Sequence, residues 1–229
     1  MRTLTSVGHR GDPYRVRENT LPSIRSAFER GADAVEVDVR MTRDGVPVLL
    51  HDDSLQRLWG HDVRLEDVTA PQLRELTDGG VPTLREALAA AGAGRVMVDL
   101  PGATADTVRT VVGQVRECGA RDRTYYCAGA GTMLAVRAAD PGAEIALTWT
   151  TLSPPRRVLI EAVAPSWLNY RFGLVSPELV EALHRDGLLV SAWTPDTKRS
   201  MRALVRAGVD SITTNRVDAL GAVRAELGR

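Results

Sequence analysis

The sequence predicts an α/β fold: a closed TIM (β/α)8 barrel with a short insertion after the second strand. Three observations carry that expectation. Short apolar, strand-like runs alternate with segments of helical periodicity along the whole chain, the pattern of a parallel sheet joined by helical crossovers. The 229 residues are about what eight such units need. The side chains able to do chemistry sit at the ends of the apolar runs, where a barrel keeps its site. An open doubly wound sheet is the alternative, but no Gly-x-Gly-x-x-Gly follows a strand to support it.

In chain order, residues 4–8 read as the first strand, followed by a polar loop in which Asp12-Pro13 marks a turn. Asn19 or Thr20 is placed to cap a helix running to about Arg30. Ile24, Ala27 and Phe28 form its apolar stripe and Gly31 stands where it should end. Residues 33–39 read as the second strand and 46–50 as an extended segment. Residues 52–81 break the alternation and form the insertion. Trp59 within it is a candidate to lean on a ligand or simply to pack. A helix then opens at Pro82-Thr83-Leu84. Further strands are expected at 95–99, 124–128, 144–149, 166–169, 188–193 and 210–214. Their helices follow at 105–118, 131–139, after the prolines near 154, at 177–186, at 196–207 and up to Leu227. One domain is expected to span 1–229.

Composition narrows the function. Basic and acidic side chains balance at 29 each, so nothing favours nucleic acid or an anionic membrane, and the few aromatics give no stacking platform for single strands. Lys198 is the only lysine, a bias attributed to genome composition. Cys118 and Cys127 have neither a metal-binding spacing nor the number for a disulfide framework. No apolar run approaches a membrane span and no apolar signal region precedes the first strand, so a cytoplasmic enzyme without integral membrane association is expected. Oligomeric state is not legible.

The second strand carries the densest information. Val35, Val37 and Val39 fall on one face, Glu36 and Asp38 on the other, because strand side chains alternate. Two carboxylates side by side in a barrel mouth repel unless a proton or a cation lies between them, and an oxygen-only set suits one hard divalent cation, Mg²⁺ or Ca²⁺. The bland alternative is an edge strand with a solvated acidic face. His9 and His51 each follow a strand-like run, so the pair can divide general-acid and general-base work on a phosphodiester. Arg10 is suited to gripping phosphate oxygens, and Gly8 and Gly11 beside it are expected to let backbone approach a ligand.

Gly8-His9-Arg10-Gly11, Glu18-Asn19-Thr20, Glu36-x-Asp38, Thr42-x-Asp44-Gly45 and His51-Asp52 together resemble the glycerophosphodiester phosphodiesterase family in order and spacing. Trp193-Thr194 and Gly208-Val209-Asp210 extend the resemblance to nearly the whole chain. It implies hydrolysis of a small glycerophosphodiester to glycerol 3-phosphate and an alcohol, in lipid metabolism. Glu36, Asp38 and Asp99 would hold the metal. His9 and His51 would be catalytic, Arg10 would grip phosphate, and Glu18 would orient Arg10 or ligand hydroxyls. Trp193 would form an apolar wall, and Asp52 or Asp53 would orient His51. Departures stand out too. Family members usually have Glu-x-Lys where this chain has Asp99-Leu100-Pro101. Cys127-Ala128 replaces Ser-Phe, and Asn215 replaces the aspartate after the last strand. Losing the lysine makes Arg171 the candidate substitute cation and keeps two alternatives open. One is a catalytically weak or inactive barrel that binds phosphodiesters. The other is a phospholipase D-like relative that releases a cyclic phosphate.

Overall fold

The computed structural model describes residues 4–228. Among them lie nine strands: β1 (Thr5–Gly8), β2 (Ala34–Met41), β3 (Pro47–Leu49), β4 (Arg95–Asp99), β5 (Thr124–Ala128), β6 (Glu144–Trp149), β7 (Trp167–Arg171), β8 (Leu189–Trp193) and β9 (Ser211–Thr214). Eight of them are parallel, in the order β1-β9-β8-β7-β6-β5-β4-β2. The pairing of β1 with β2 closes the ring, giving the expected TIM barrel. The ninth, β3, runs antiparallel on the end of β2, so the extended segment expected at 46–50 is a hairpin partner outside the ring. The same hairpin carries β2 on to Met41, because Arg40 and Met41 pair with Val48 and Pro47. Its turn is Thr42-Arg43-Asp44-Gly45: the Thr42 hydroxyl donates to Asp44 at 2.6 Å, Val46 N–H donates back to Thr42 at 3.0 Å, and Gly45 takes φ +77°. This motif is a turn that sends the chain back toward the mouth with His51.

The helices begin where threonine and serine allow. Thr20, not Asn19, caps Leu21–Glu29, and Thr83 closes a reciprocal capping box with Glu86. Thr104, Ser176 and Thr197 cap three later helices by accepting from the N–H three residues on. Val35, Val37, Val39, Val96 and Val98 point outward against these helices and are fully buried, each removal from water contributing about 1.5 kcal/mol or more. A smaller set fills the barrel interior: Val7, Ala34, Met97, Tyr125, Cys127, Ala146 and Trp167. The insertion packs on its own group of Val48, Leu50, Leu55, Leu65, Val68, Leu73 and Val81. Trp59 packs there over Gly80, with the Arg17 guanidinium 4.2 Å from its ring centre. No helix among the described residues is long and apolar enough to cross a membrane.

Candidate active site

The mouth of the barrel opens on a cavity of about 310 Å³ at the C-terminal ends of the parallel strands. Its walls include His9, Arg10, Glu36, Asp38, His51, Asp99 and Trp193. Seven of the nine site residues anticipated from sequence therefore share one space. Glu18 stands behind it, against Arg10, and Arg171 is exposed outside its lining.

Strand register explains the acids. Glu36 and Asp38 are two residues apart on the inward face of β2, and Asp38 pairs directly with Asp99 of β4. Each of the three offers an oxygen within 4.8 Å of the others. Like charges opposite each other on a sheet are unfavourable, and burial makes them more so. Burial, then Asp38 and Asp99, drive the Glu36 carboxyl well above the usual range. Burial and then Asp38 push Asp99 up to about 6. A cation would relieve this repulsion, and three oxygen donors with no nitrogen or sulfur ligand fit a hard divalent ion. Asp99, one methylene shorter than a glutamate, still reaches the cluster. The Cys127 thiol donates to its Oδ1 at 3.3 Å, and burial keeps that thiol protonated.

The loop after β1 holds the acids from above. Arg10 and Asn19 both sit at φ +55°, in the left-handed region that costs ordinary side chains energy. Their contacts explain it. Arg10 N–H donates to Glu36 Oε2 at 2.9 Å. The Asn19 amide donates to Asp38 at 2.7 Å and accepts from Asp38 N–H at 3.2 Å. Gly11, at φ +89°, has Ser23 where a β-carbon would stand, so close packing of loop on helix is what this glycine provides, rather than backbone approach to a ligand.

Arg10 is the one arginine among the described residues that lines the cavity. Its Nε lies 3.1 Å from Asp38 and its NH1 donates to Glu18 at 2.9 Å. Glu18 in turn accepts from Arg57 at 2.6 Å, Arg57 donates to Asp52 at 2.6 Å, and Asp52 lies 2.8 Å from His51 Nδ1. This unbroken chain of charges ties the first loop to the insertion, with Arg57 as a bridge that the sequence did not advertise. Asp52, rather than the exposed Asp53, contacts the His51 ring.

The two histidines have different supports. Asp196, a carboxylate without a proton to give, can only accept, so the Asn215 amide nitrogen faces it at 2.8 Å. The Asn215 carbonyl oxygen is left for His9 Nδ1 at 2.8 Å, which must then carry the hydrogen. His9 Nε2, with its lone pair, points into the site 3.9 Å from Glu36. Burial, and then Arg10, lower the His9 pKa, favouring this neutral ring. His51 is less enclosed, with 43% of its side chain exposed, and its Nδ1 faces a carboxylate instead of an amide.

Pro101 lines the cavity two residues past Asp99 and brings no charge of its own. Lys198 is on a helix surface 3.9 Å from Glu226. Arg171 is exposed, in register with Trp193 but outside the lining. Asn215 is visible in the sequence as a residue just past a strand end. Its partner Asp196 and the Asn19 contact to Asp38 become apparent only when distant strands meet.

A family model described as "Glycerophosphoryl diester phosphodiesterase family" matches residues 9–219. The chain is 28% identical over 236 residues to the glycerophosphodiester phosphodiesterase of Caldanaerobacter subterraneus subsp. tengcongensis, covering 94% of this chain and 95% of that one. Its fold is similar to that of an Oleispira antarctica phosphodiesterase in complex with the product sn-glycerol-3-phosphate, with TM-score 0.90, 20% identity and 97% of each chain covered. A Thermotoga maritima glycerophosphodiester phosphodiesterase aligns with TM-score 0.85 and 24% identity, over 98% of this chain and 100% of that one.

Proposed function

The chain belongs to the glycerophosphoryl diester phosphodiesterase family, and from that premise we propose that it hydrolyses small glycerophosphodiesters to glycerol 3-phosphate and an alcohol with the help of one divalent cation. The observation that carries this reading is the convergence of three carboxylates, an arginine and two differently supported histidines on one cavity. Glu36, Asp38 and Asp99 would hold the cation, Mg²⁺ or Ca²⁺, which when bound supplies Lewis-acid stabilisation of charge on the phosphoryl oxygens. Arg10, anchored by Asp38 and Glu18, presents the rest of its guanidinium to the phosphate.

In this reading His9 is the base and His51 the acid. His9 Nε2 takes a proton from the attacking water, and the positive ring that results keeps its Nδ1–H on Asn215. His51, charged and donating Nδ1–H to Asp52, gives its Nε2 proton to the leaving alcohol oxygen. One water is consumed and the two rings exchange protonation states, which bulk solvent resets. Asn215 and Asp196 are positioning residues. Asn215→Ala is expected to lower kcat by about tenfold with KM nearly unchanged, because substrate still binds while the wrong His9 tautomer competes. Nitrogen-15 NMR of the ring should show the Nδ1–H form in the wild type and a mixture in the variant. An Nε2–H tautomer in the wild type would refute the assignment.

The experiment that tests the function is glycerol 3-phosphate release from a panel of glycerophosphodiesters with Mg²⁺, with Ca²⁺ and with chelator. Release that chelator abolishes is the expected result, and it would establish that Pro101 is tolerated in place of a lysine. A folded protein that releases nothing under any condition would favour a binding barrel. A cyclic glycerophosphate as the final product would favour attack by the substrate's own hydroxyl.

A further inference from the structure

We propose that Asn169, Trp193 and Thr213 form a subsite that reads the hydroxyl groups of a neutral polyol, namely the glycerol arm of the diester. The inference rests on the phosphodiesterase reading above and goes beyond it to the groups that would recognise that arm. The three residues occupy inward positions on the successive strands β7, β8 and β9, and all line the cavity on the side away from β2 and β4, which carry the acids. Asn169 is 4% exposed and Thr213 only 1%.

Each presents a buried polar atom with no hydrogen-bond partner among the described residues: Asn169 Oδ1, Trp193 Nε1 and Thr213 Oγ1. The Asn169 amide nitrogen is already given to the Thr148 hydroxyl at 3.3 Å, which fixes Oδ1 as its free end. Buried polar atoms are nearly always paired, and three orphans on one cavity wall call for a ligand that pairs them. What they offer is one pure acceptor, one pure donor and one group that does both. Hydroxyl groups, each able to donate and accept, complement that set.

Charge argues the same way. Among these wall residues and the neighbouring Thr148 there is no ionisable side chain, so an ammonium or carboxylate would find no counter-ion. The Trp193 ring adds an apolar face for a short carbon chain. Arg10 and the carboxylates claim the phosphate on the opposite side.

The test is calorimetric binding, at one fixed Mg²⁺ concentration, of sn-glycerol 3-phosphate, 3-hydroxypropyl phosphate (the same molecule without its middle hydroxyl) and inorganic phosphate. The wild type should prefer glycerol 3-phosphate over the deoxy analogue by about tenfold or more. Thr213→Val and Asn169→Leu should each bring that preference close to unity while inorganic phosphate binds as before. A second readout separates recognition from a structural role. Thr213→Val replaces an orphaned hydroxyl by a methyl group of the same shape, so the ligand-free variant should melt at or above the wild-type temperature. Variants that keep the full preference overturn the subsite, as does a Thr213→Val protein that melts lower with its preference intact. A wild type that binds inorganic phosphate and glycerol 3-phosphate equally well overturns the subsite alone. A wild type that binds none of the three overturns the phosphodiesterase reading beneath it.

Discussion

Glu36→Gln is expected to cut phosphodiester cleavage by about 10³-fold and yet to raise the melting temperature of the metal-free protein. The two effects share one cause. Glu36, Asp38 and Asp99 are held close together on neighbouring strands, where in the proposed reading they bind a cation, and without it the fold bears their repulsion. The amide removes a charge but keeps an oxygen for the Arg10 N–H. The pH dependence follows from the direction of the shifts. Glu36 and Asp99 have folded-state pKa values above the ordinary carboxylate values of 4.5 and 3.8, Asp99 at about 6. Across that interval the folded state binds more protons than the unfolded one, so metal-free stability falls as pH rises through about 6. Glu36→Gln should flatten this slope. Added Mg²⁺ or Ca²⁺ should reverse the ranking, lifting the wild-type melting temperature by mass action and the variant's far less. Equal cation-induced shifts in the two proteins would show that Glu36 is not a ligand.

The second large effect concerns the histidines. His9→Ala and His51→Ala should each lower turnover by about 10²-fold or more on natural diesters. A substrate whose leaving group is 4-nitrophenolate needs no protonation to depart. It should therefore restore His51→Ala close to wild-type turnover and leave His9→Ala impaired. The opposite pattern would exchange their roles. The acid limb of the wild-type rate profile should lie below pH 6.5, because burial and then Arg10 lower the His9 pKa and the base is lost only as pH falls through that lowered value. A bound cation would push the same way. Arg10→Gln removes one of these causes, so its acid limb should move toward higher pH even as its rate drops. A limb that stays in place would detach Arg10 from His9.

Much of this was legible before any coordinates. Alternation of Val35, Val37 and Val39 with Glu36 and Asp38 is a local rule, and it placed the acids in the mouth because strands have period two. Strand ends placed His9, Asp99 and Trp193 for a similar reason. What escaped depends on pairs far apart in the chain: Asn215 with Asp196, Asn19 with Asp38, and Glu18 with Arg57. Local pattern carries no record of those partners. Asn19 is of a residue type that caps helices, but Thr20 takes that position and Asn19 turns inward. Only its strand end recommends Arg171 from sequence. The strand runs on to that residue and leaves its side chain exposed, outside the cavity lining.

The insertion has a further consequence. Its apolar group, from Val48 to Val81, is separate from the larger core that joins barrel and helices, and its links to the first loop are the half-exposed Arg57 on Glu18 and the Arg17 guanidinium stacked on Trp59. A segment with a small core and a solvent-facing clasp opens at lower free energy than the structure it leans on. His51 stands where that segment begins: its carbonyl accepts from Arg40 of β2 at 2.8 Å, but its ring partner Asp52 belongs to the segment, while His9, Arg10 and the three acids belong to the barrel. In the proposed reading, mild heating or denaturant would therefore yield a native-looking barrel that still binds phosphate but whose acid, His51, has lost the Asp52 contact that orients it. Inactivation and global unfolding become two events, with amide exchange in residues 52–81 reporting the first and barrel melting the second.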